Sequence, residues 1–221
     1  LDGVYKRTGK INIVSAGRTE GITLNIGFDN SEAYSAWKAK KLNSITLPSI
    51  SGGTVSGLMS SINWFFTDSH EDFAIFQIVV KNDSKDGTYY PQYINRITLD
   101  SNGEYALCYQ ARTETLLIND TPTETSLPEG YGVAPFLYVH RVLDFIFSEF
   151  GYTITENPFK TDKELSSLVI LNNAADCCVT GILNYADLMP DCTIEDFLNA
   201  LYVRFGLVYN VSSDTKTATL R

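Results

Sequence analysis

Thr193-Ile194-Glu195-Asp196-Phe197-Leu198-Asn199-Ala200-Leu201-Tyr202-Val203-Arg204-Phe205-Gly206-Leu207-Val208-Tyr209 decides how this chain is read. Thr193 with Asp196 three residues on resembles a capping box, with Asp in place of the usual Glu. Ile194, Phe197, Leu198, Leu201 and Phe205 recur at helical spacing and predict one apolar stripe. Gly206 stands where a left-handed stop is needed. The residues after it read as a strand, then a turn at 212–214, then a last strand. An earlier stretch matches this one. Val142 to Ile154 aligns with Phe197 to Tyr209, setting Leu143 against Leu198, Ile146 against Leu201 and Phe147 against Tyr202. Phe150-Gly151 then falls on Phe205-Gly206. The pattern is an amphipathic helix, a glycine stop and a strand, twice over.

Working toward the N-terminus, 119–134 is polar, contains proline and lacks apolar anchors, which predicts a linker. The expected organisation is a β-rich domain over 1–118, the linker 119–134 and an α+β domain over 135–221. Within the first part, Ile11 and Ile13, then Ile22, Leu24 and Ile26, alternate with polar neighbours and predict a hairpin over 9–29. A short helix is expected from Ser31 to about Lys41, a strand at Ile45–Leu47, and a flexible loop at 49–53. Residues 54–66 fit a helix in part, through Val55, Leu58, Met59 and Ile62. Phe73 to Val80 is the strongest strand signal, a nearly unbroken β-branched and aromatic run. Shorter strands are expected at 92–99, 104–110 and 113–118. Pro135 suits the first turn of the helix that follows the linker. The fold class is α+β: a β-rich N-terminal part with short helices, then small helix–strand subdomains.

Composition narrows the function classes. The 221 residues carry 17 Lys and Arg against 26 Asp and Glu, a net charge of −9. Such an acidic surface repels phosphate backbones and anionic membranes, so neither nucleic acid nor a membrane is an expected partner. No apolar run is long enough to span a bilayer. No signal peptide is visible, and the chain reads as a piece of something longer. There are 13 Tyr, 12 Phe and 2 Trp but only 2 His and 4 Cys. Groups that pack therefore far outnumber groups that do acid–base or metal chemistry.

Candidate chemistry is correspondingly thin. His70 lies in the acidic run Asp68-Ser69-His70-Glu71-Asp72, but contiguous loop residues rarely converge on one ion, and a solvated turn is expected. His140 has no nucleophile elbow to serve and is expected on the surface or in packing. Cys108, Cys177, Cys178 and Cys192 lack zinc spacing and are expected as reduced thiols. No Walker loop, dinucleotide fingerprint or HExxH occurs. The expectation is no catalytic residue, no cofactor and no metal. Phe136, Phe145, Phe147, Phe150, Phe197, Tyr202 and Phe205 are read on the two helices, and most of them are expected in the core. Tyr89, Tyr90 and Tyr93 form a proline-broken cluster in an expected loop, which makes them the candidate interaction surface.

The order of features also resembles a known group. Tyr93-Ile94-Asn95-Arg96-Ile97 is followed by Val133-Ala134-Pro135-Phe136-Leu137-Tyr138-Val139, and then by Ile146-Phe147-Ser148-Glu149-Phe150-Gly151-Tyr152-Thr153-Ile154. Leu188-Met189-Pro190-Asp191-Cys192 then leads into Thr193 and the second helix. Over roughly residues 90–221 this resembles phage and prophage tail or baseplate hub proteins of the Bacteroidetes prophage type. The resemblance implies a structural, non-enzymatic protein that contacts other tail or baseplate proteins and forms a homo-oligomeric ring. It places the protein in the cytoplasm during assembly and in the tail particle afterwards. The alternatives left by the residues are a carbohydrate-binding or adhesion domain, resting on Tyr89–Tyr93, and a cell-wall hydrolase.

Overall fold

A computed structural model of the chain describes residues 9–17, 21–28, 35, 37–62, 70–79, 93–118 and 121–221. The alternating N-terminal stretch forms an antiparallel hairpin of β1 (Gly9–Gly17) and β2 (Gly21–Phe28), with a register shift between Ile13 and Ser15. The expected cap at Ser31 lies outside the described residues, although 37–39 are helical. The expected strand at Ile45–Leu47 is not one. A short 3-10 turn occupies Leu42–Ser44, and β3 is Ser49–Ser51, inside the stretch expected to be a flexible loop. Its position is fixed by pairing with β13 (Ile182–Asn184). Helix α1 (Val55–Ile62) follows and buries Val55, Leu58, Met59 and Ile62, the four residues that define its apolar face.

Of the Phe73–Val80 run, Val80 lies outside the described residues, and 73–79 holds two short strands, β4 (Phe73–Ala74) and β5 (Ile78–Val79). The expected 92–99 strand is also split, into β6 (Tyr93–Ile94) and β7 (Ile97–Leu99). Both breaks have one cause, the side chains of Asn95 and Gln77. Asn95 adopts φ 55°, a left-handed conformation open to Asn at low cost. Its buried amide donates to the carbonyls of Phe76 and Ala134, and its oxygen accepts from Ala134 N–H. Gln77 Oε1 accepts from Ile97 N–H at 2.8 Å. Side-chain amides here replace the backbone ladder. β8 (Tyr105–Leu107) pairs with β7, and β9 (Arg112–Ile118) pairs with β10 (Thr121–Leu127).

The strand β10 corrects the linker expectation for 121–127. The stretch is mostly exposed on its own account and is held by full antiparallel pairing with β9. One hydrophobic cluster also contains residues from both sides of 119–134, including Trp37, Leu58, Phe73, Phe136, Phe147 and Leu198. β11 (Phe136–Leu137) pairs with β4, joining positions more than sixty residues apart. Pro135 precedes that strand and does not open a helix; its carbonyl accepts from the Asn172 amide.

Helix α2 (Val139–Glu149) ends at Phe150, with Gly151 at φ 75°. β12 (Thr153–Glu156) and a single turn, α3 (Pro158–Thr161), come next. Helix α4 (Ile194–Phe205) carries the predicted capping box, Thr193 with Asp196, and stops at Gly206, φ 73°. β14 (Tyr209–Ser212) and β15 (Thr217–Leu220) close the chain. The strand after each glycine stop enters the same sheet, whose order is β12-β15-β14. β12 runs parallel to β15 and β14 antiparallel to it, so the two helix–glycine–strand units flank one shared strand. The protein is α+β, as its patterning predicts.

Candidate functional site

The two units differ in what covers them. Leu143 and Leu198 are both buried, as are Ile146 and Leu201, so the shared stripe packs alike. The next matched positions diverge. Phe147 is fully buried, with Trp37 edge-on at 5.3 Å; Phe150 lies 5.7 Å from the same indole. The segment that carries Trp37 is tied down by backbone bonds from Ile194 N–H to Lys40 O and from Leu42 N–H to Cys192 O. Lys40 also pairs with Glu149 at the end of α2, and Glu149 accepts from Thr46 N–H. These bonds hold the Glu149 carboxyl down at about 2.

In the second unit the corresponding residues face outward. Tyr202 is 57% exposed and Phe205 42%, with Val203 at 82% and Val208 at 52%. Phe205 meets the ring of Phe159 edge-on at 5.5 Å. Leu207, between Phe205 and Val208 in sequence, is buried. The expectation that Tyr202 and Phe205 belong to the core is thus corrected. The stripe of α4 is narrower than its run of apolar residues, because Tyr202 and Val203 fall off the buried arc. Isolated exposed apolar residues are ordinary; here four fall within seven positions at the C-terminal end of α4. Among the described residues, the segment that carries Trp37 covers the first unit, and the sequence alone does not show which unit it lies on.

The tyrosine cluster proposed from sequence is placed only in part. Tyr89 and Tyr90 lie outside the described residues. Tyr93 is on β6, half-buried, opposite Val79, with the Arg96 guanidinium 5.9 Å from its ring. It is an edge aromatic of a sheet.

One polar junction could not be read from the sequence. Asp72 is buried, and its carboxylate accepts from Arg141 Nε and from the Tyr185 hydroxyl at 2.9 Å. Its carbonyl accepts from Tyr138 N–H, and its own N–H donates to His70 Nδ1 at 3.0 Å. Arg141 also reaches Asp144. This node ties the start of β4 to α2 and to the 3-10 turn Tyr185–Leu188. Burial, with the Asp72 hydrogen bond, pushes the Tyr185 hydroxyl well above its usual range. His70 stacks on Phe73 with ring centroids 3.9 Å apart, and burial lowers its pKa. His70 is thus part of a packed corner, where a solvated turn is expected. His140 stacks on Tyr138 and is likewise lowered by burial. Asp72, Arg141, Asp144 and Tyr185 form a bonded joint between elements, while the buried Nδ1 of His140 has no hydrogen-bond partner among the described residues.

Cys177 and Cys178 are buried with their sulfurs 3.8 Å apart, and Cys177 Sγ donates to Val133 O. All four cysteines are free thiols. Among the described residues, no group of three or more His, Cys, Asp or Glu side chains could hold a metal ion. Among the same residues, no helix is long and apolar enough to cross a membrane. No protein-family model, no curated protein and no solved structure matches this chain.

Proposed function

We propose that this chain is a structural module of a phage-tail-like assembly, of the tail or baseplate hub kind, working through protein–protein contacts. The observation that carries the reading is the uncovered end of the second helix–glycine–strand unit, Tyr202 to Val208, set beside a first unit whose equivalent aromatics are covered. A patch of aromatic and aliphatic side chains with an arginine inside it has the composition of an interface centre. The order of sequence features supports the tail-hub identity. In this reading the partners are neighbouring tail or baseplate proteins and further copies of the chain in a ring. The protein is made in the cytoplasm and ends in the particle, and it needs no cofactor.

The test is mass spectrometry of tail-like particles purified from cells that encode the chain. Its peptides are expected in the particles, in fixed ratio to the other tail proteins. Intact particles without it, with the chain left in the soluble fraction, would overturn the reading.

A further inference from the structure

A second exposed apolar site lies far from α4 in sequence and carries the opposite charge. In the β7–β8 pair, Leu99 stands in register with Tyr105, and both are exposed, at 61% and 67%. Cross-strand partners share one face, so the two side chains form a single apolar tip. Acidic residues flank it: Asp100 follows Leu99 and Glu104 precedes Tyr105, and both are exposed.

The tip is preorganised. Asp100 Oδ1 accepts from the backbone N–H of Asn102 at 2.8 Å and of Glu104 at 2.9 Å. Asp100 N–H donates to Glu104 O at 2.7 Å, and Gly103 takes φ 80° to close the turn. The same bonds, from Glu104 first and Asn102 next, lower the Asp100 pKa, so its charge persists into mild acid. A turn that is already ordered loses little entropy on docking.

The α4 patch carries cations. Arg204 lies between Val203 and Phe205 and is exposed. Arg221 exchanges two backbone hydrogen bonds with Val208, which fixes it beside the patch, and its side chain is 75% exposed. One acid is also near: Glu156 lies 3.5 Å from Arg221, both of them well exposed. Such an exposed pair is weak and easily exchanged. On a chain of net charge −9, an apolar patch with two arginines stands out against its surroundings.

We infer that the acidic, apolar β7–β8 tip of one copy docks on the arginine-bearing, apolar end of α4 of the next. The inference rests on the assembly reading above and names the partner of that same patch. Apolar residues are exposed on both surfaces and would be buried by any pairing of them, so it is the opposite charge that favours this pairing over tip on tip or patch on patch. The joined surfaces differ, so the contact is head-to-tail, and repetition closes a ring or runs on as a filament. Opposite charge fixes the register, and salt screens it.

Sedimentation velocity of the purified chain tests this, with Glu104→Lys and Arg204→Glu as the variants. Both side chains are on the surface, and circular dichroism checks that each variant folds. Wild-type chain is expected to associate with rising concentration, up to about 1 mM, and less so in high salt. Each variant alone is expected to associate about tenfold more weakly or worse. An equimolar mixture of the two should recover association, since every junction in an alternating chain again joins opposite charges. Val203→Ser should weaken association without moving the melting temperature. A chain that stays monomeric throughout, reversals without effect, or a mixture that stays apart would each overturn the inference. Its failure is separable from that of the assembly reading. A chain present in particles but indifferent to these reversals keeps its tail role and loses only this contact.

Discussion

Phe147 and Tyr202 occupy matching positions in two helix–glycine–strand units, yet Phe147 is fully buried against Trp37 while Tyr202 is 57% exposed. The difference separates stability from association. Phe147→Ala removes a core ring and is expected to cost about 3–5 kcal/mol in urea unfolding. Tyr202→Ala is expected to stay within about 0.5 kcal/mol of wild type. Equal costs would mean that the second unit is packed as tightly as the first.

The Asp72 node predicts a second asymmetry. Asp72→Ala leaves the Tyr185 hydroxyl without its acceptor and Arg141 with Asp144 alone, and is expected to destabilise by about 2–3 kcal/mol, since half of a largely buried pair is removed. Tyr185→Phe removes one hydrogen bond and is expected to cost about 1 kcal/mol. Thermal or urea unfolding of both variants measures this. Loss at Tyr185→Phe as large as at Asp72→Ala would place the joint in the hydroxyl–carboxylate hydrogen bond, with the Arg141 ion pair secondary.

Acid acts in two windows with distinct causes. His70 and His140 have folded pKa values below 6.5, so the unfolded chain binds more protons. Their neutral forms contribute stability fully above pH 6.5, and that contribution is lost as pH falls below it. Glu149 is lowered from 4.5 to about 2, so its contribution is present above pH 4.5 and drains away as pH falls toward 2. Melting temperature against pH should show both slopes. His70→Gln should reduce the upper one and Glu149→Gln the lower. A Glu149→Gln profile parallel to wild type between pH 4.5 and 2 would remove the Lys40–Glu149 tie as a source of stability.

Gly52 is required by contact. A Cβ there would lie 1.9 Å from the backbone nitrogen of Leu58, and Gly52 N–H donates to Gly181 O at 3.0 Å. Gly52→Ala must push α1 away from β3 and is expected to cost about 2–3 kcal/mol. An alanine tolerated without loss would mean that this corner is loose.

The capping box at Thr193, the glycine stops and the α1 face were legible because each is a local signal. The splits in 73–79 and 93–99 were not, because Asn95 and Gln77 act on partners far along the chain or across a strand pair. β10 was hidden for a related reason. Its residues are polar and exposed, and its conformation comes from pairing with β9. At the candidate site, the apolar residues of α4 were visible, but not which of them the fold would leave uncovered. That depended on where the Trp37 segment lay, a tertiary fact. The Asp72 node joins residues 69 and 113 positions apart, a relation that composition and periodicity do not encode.

The central claim is that the Tyr202–Val208 end of α4 is a contact surface of an assembly. Hydroxyl-radical footprinting of Tyr202, Val203 and Phe205, on the isolated chain and on the chain within purified tail-like particles, tests it most directly. Strong labelling of the isolated chain and protection of all three in the particle are expected, with buried Phe147 unlabelled in both. Equal labelling of Tyr202 and Val203 in the two states would contradict it.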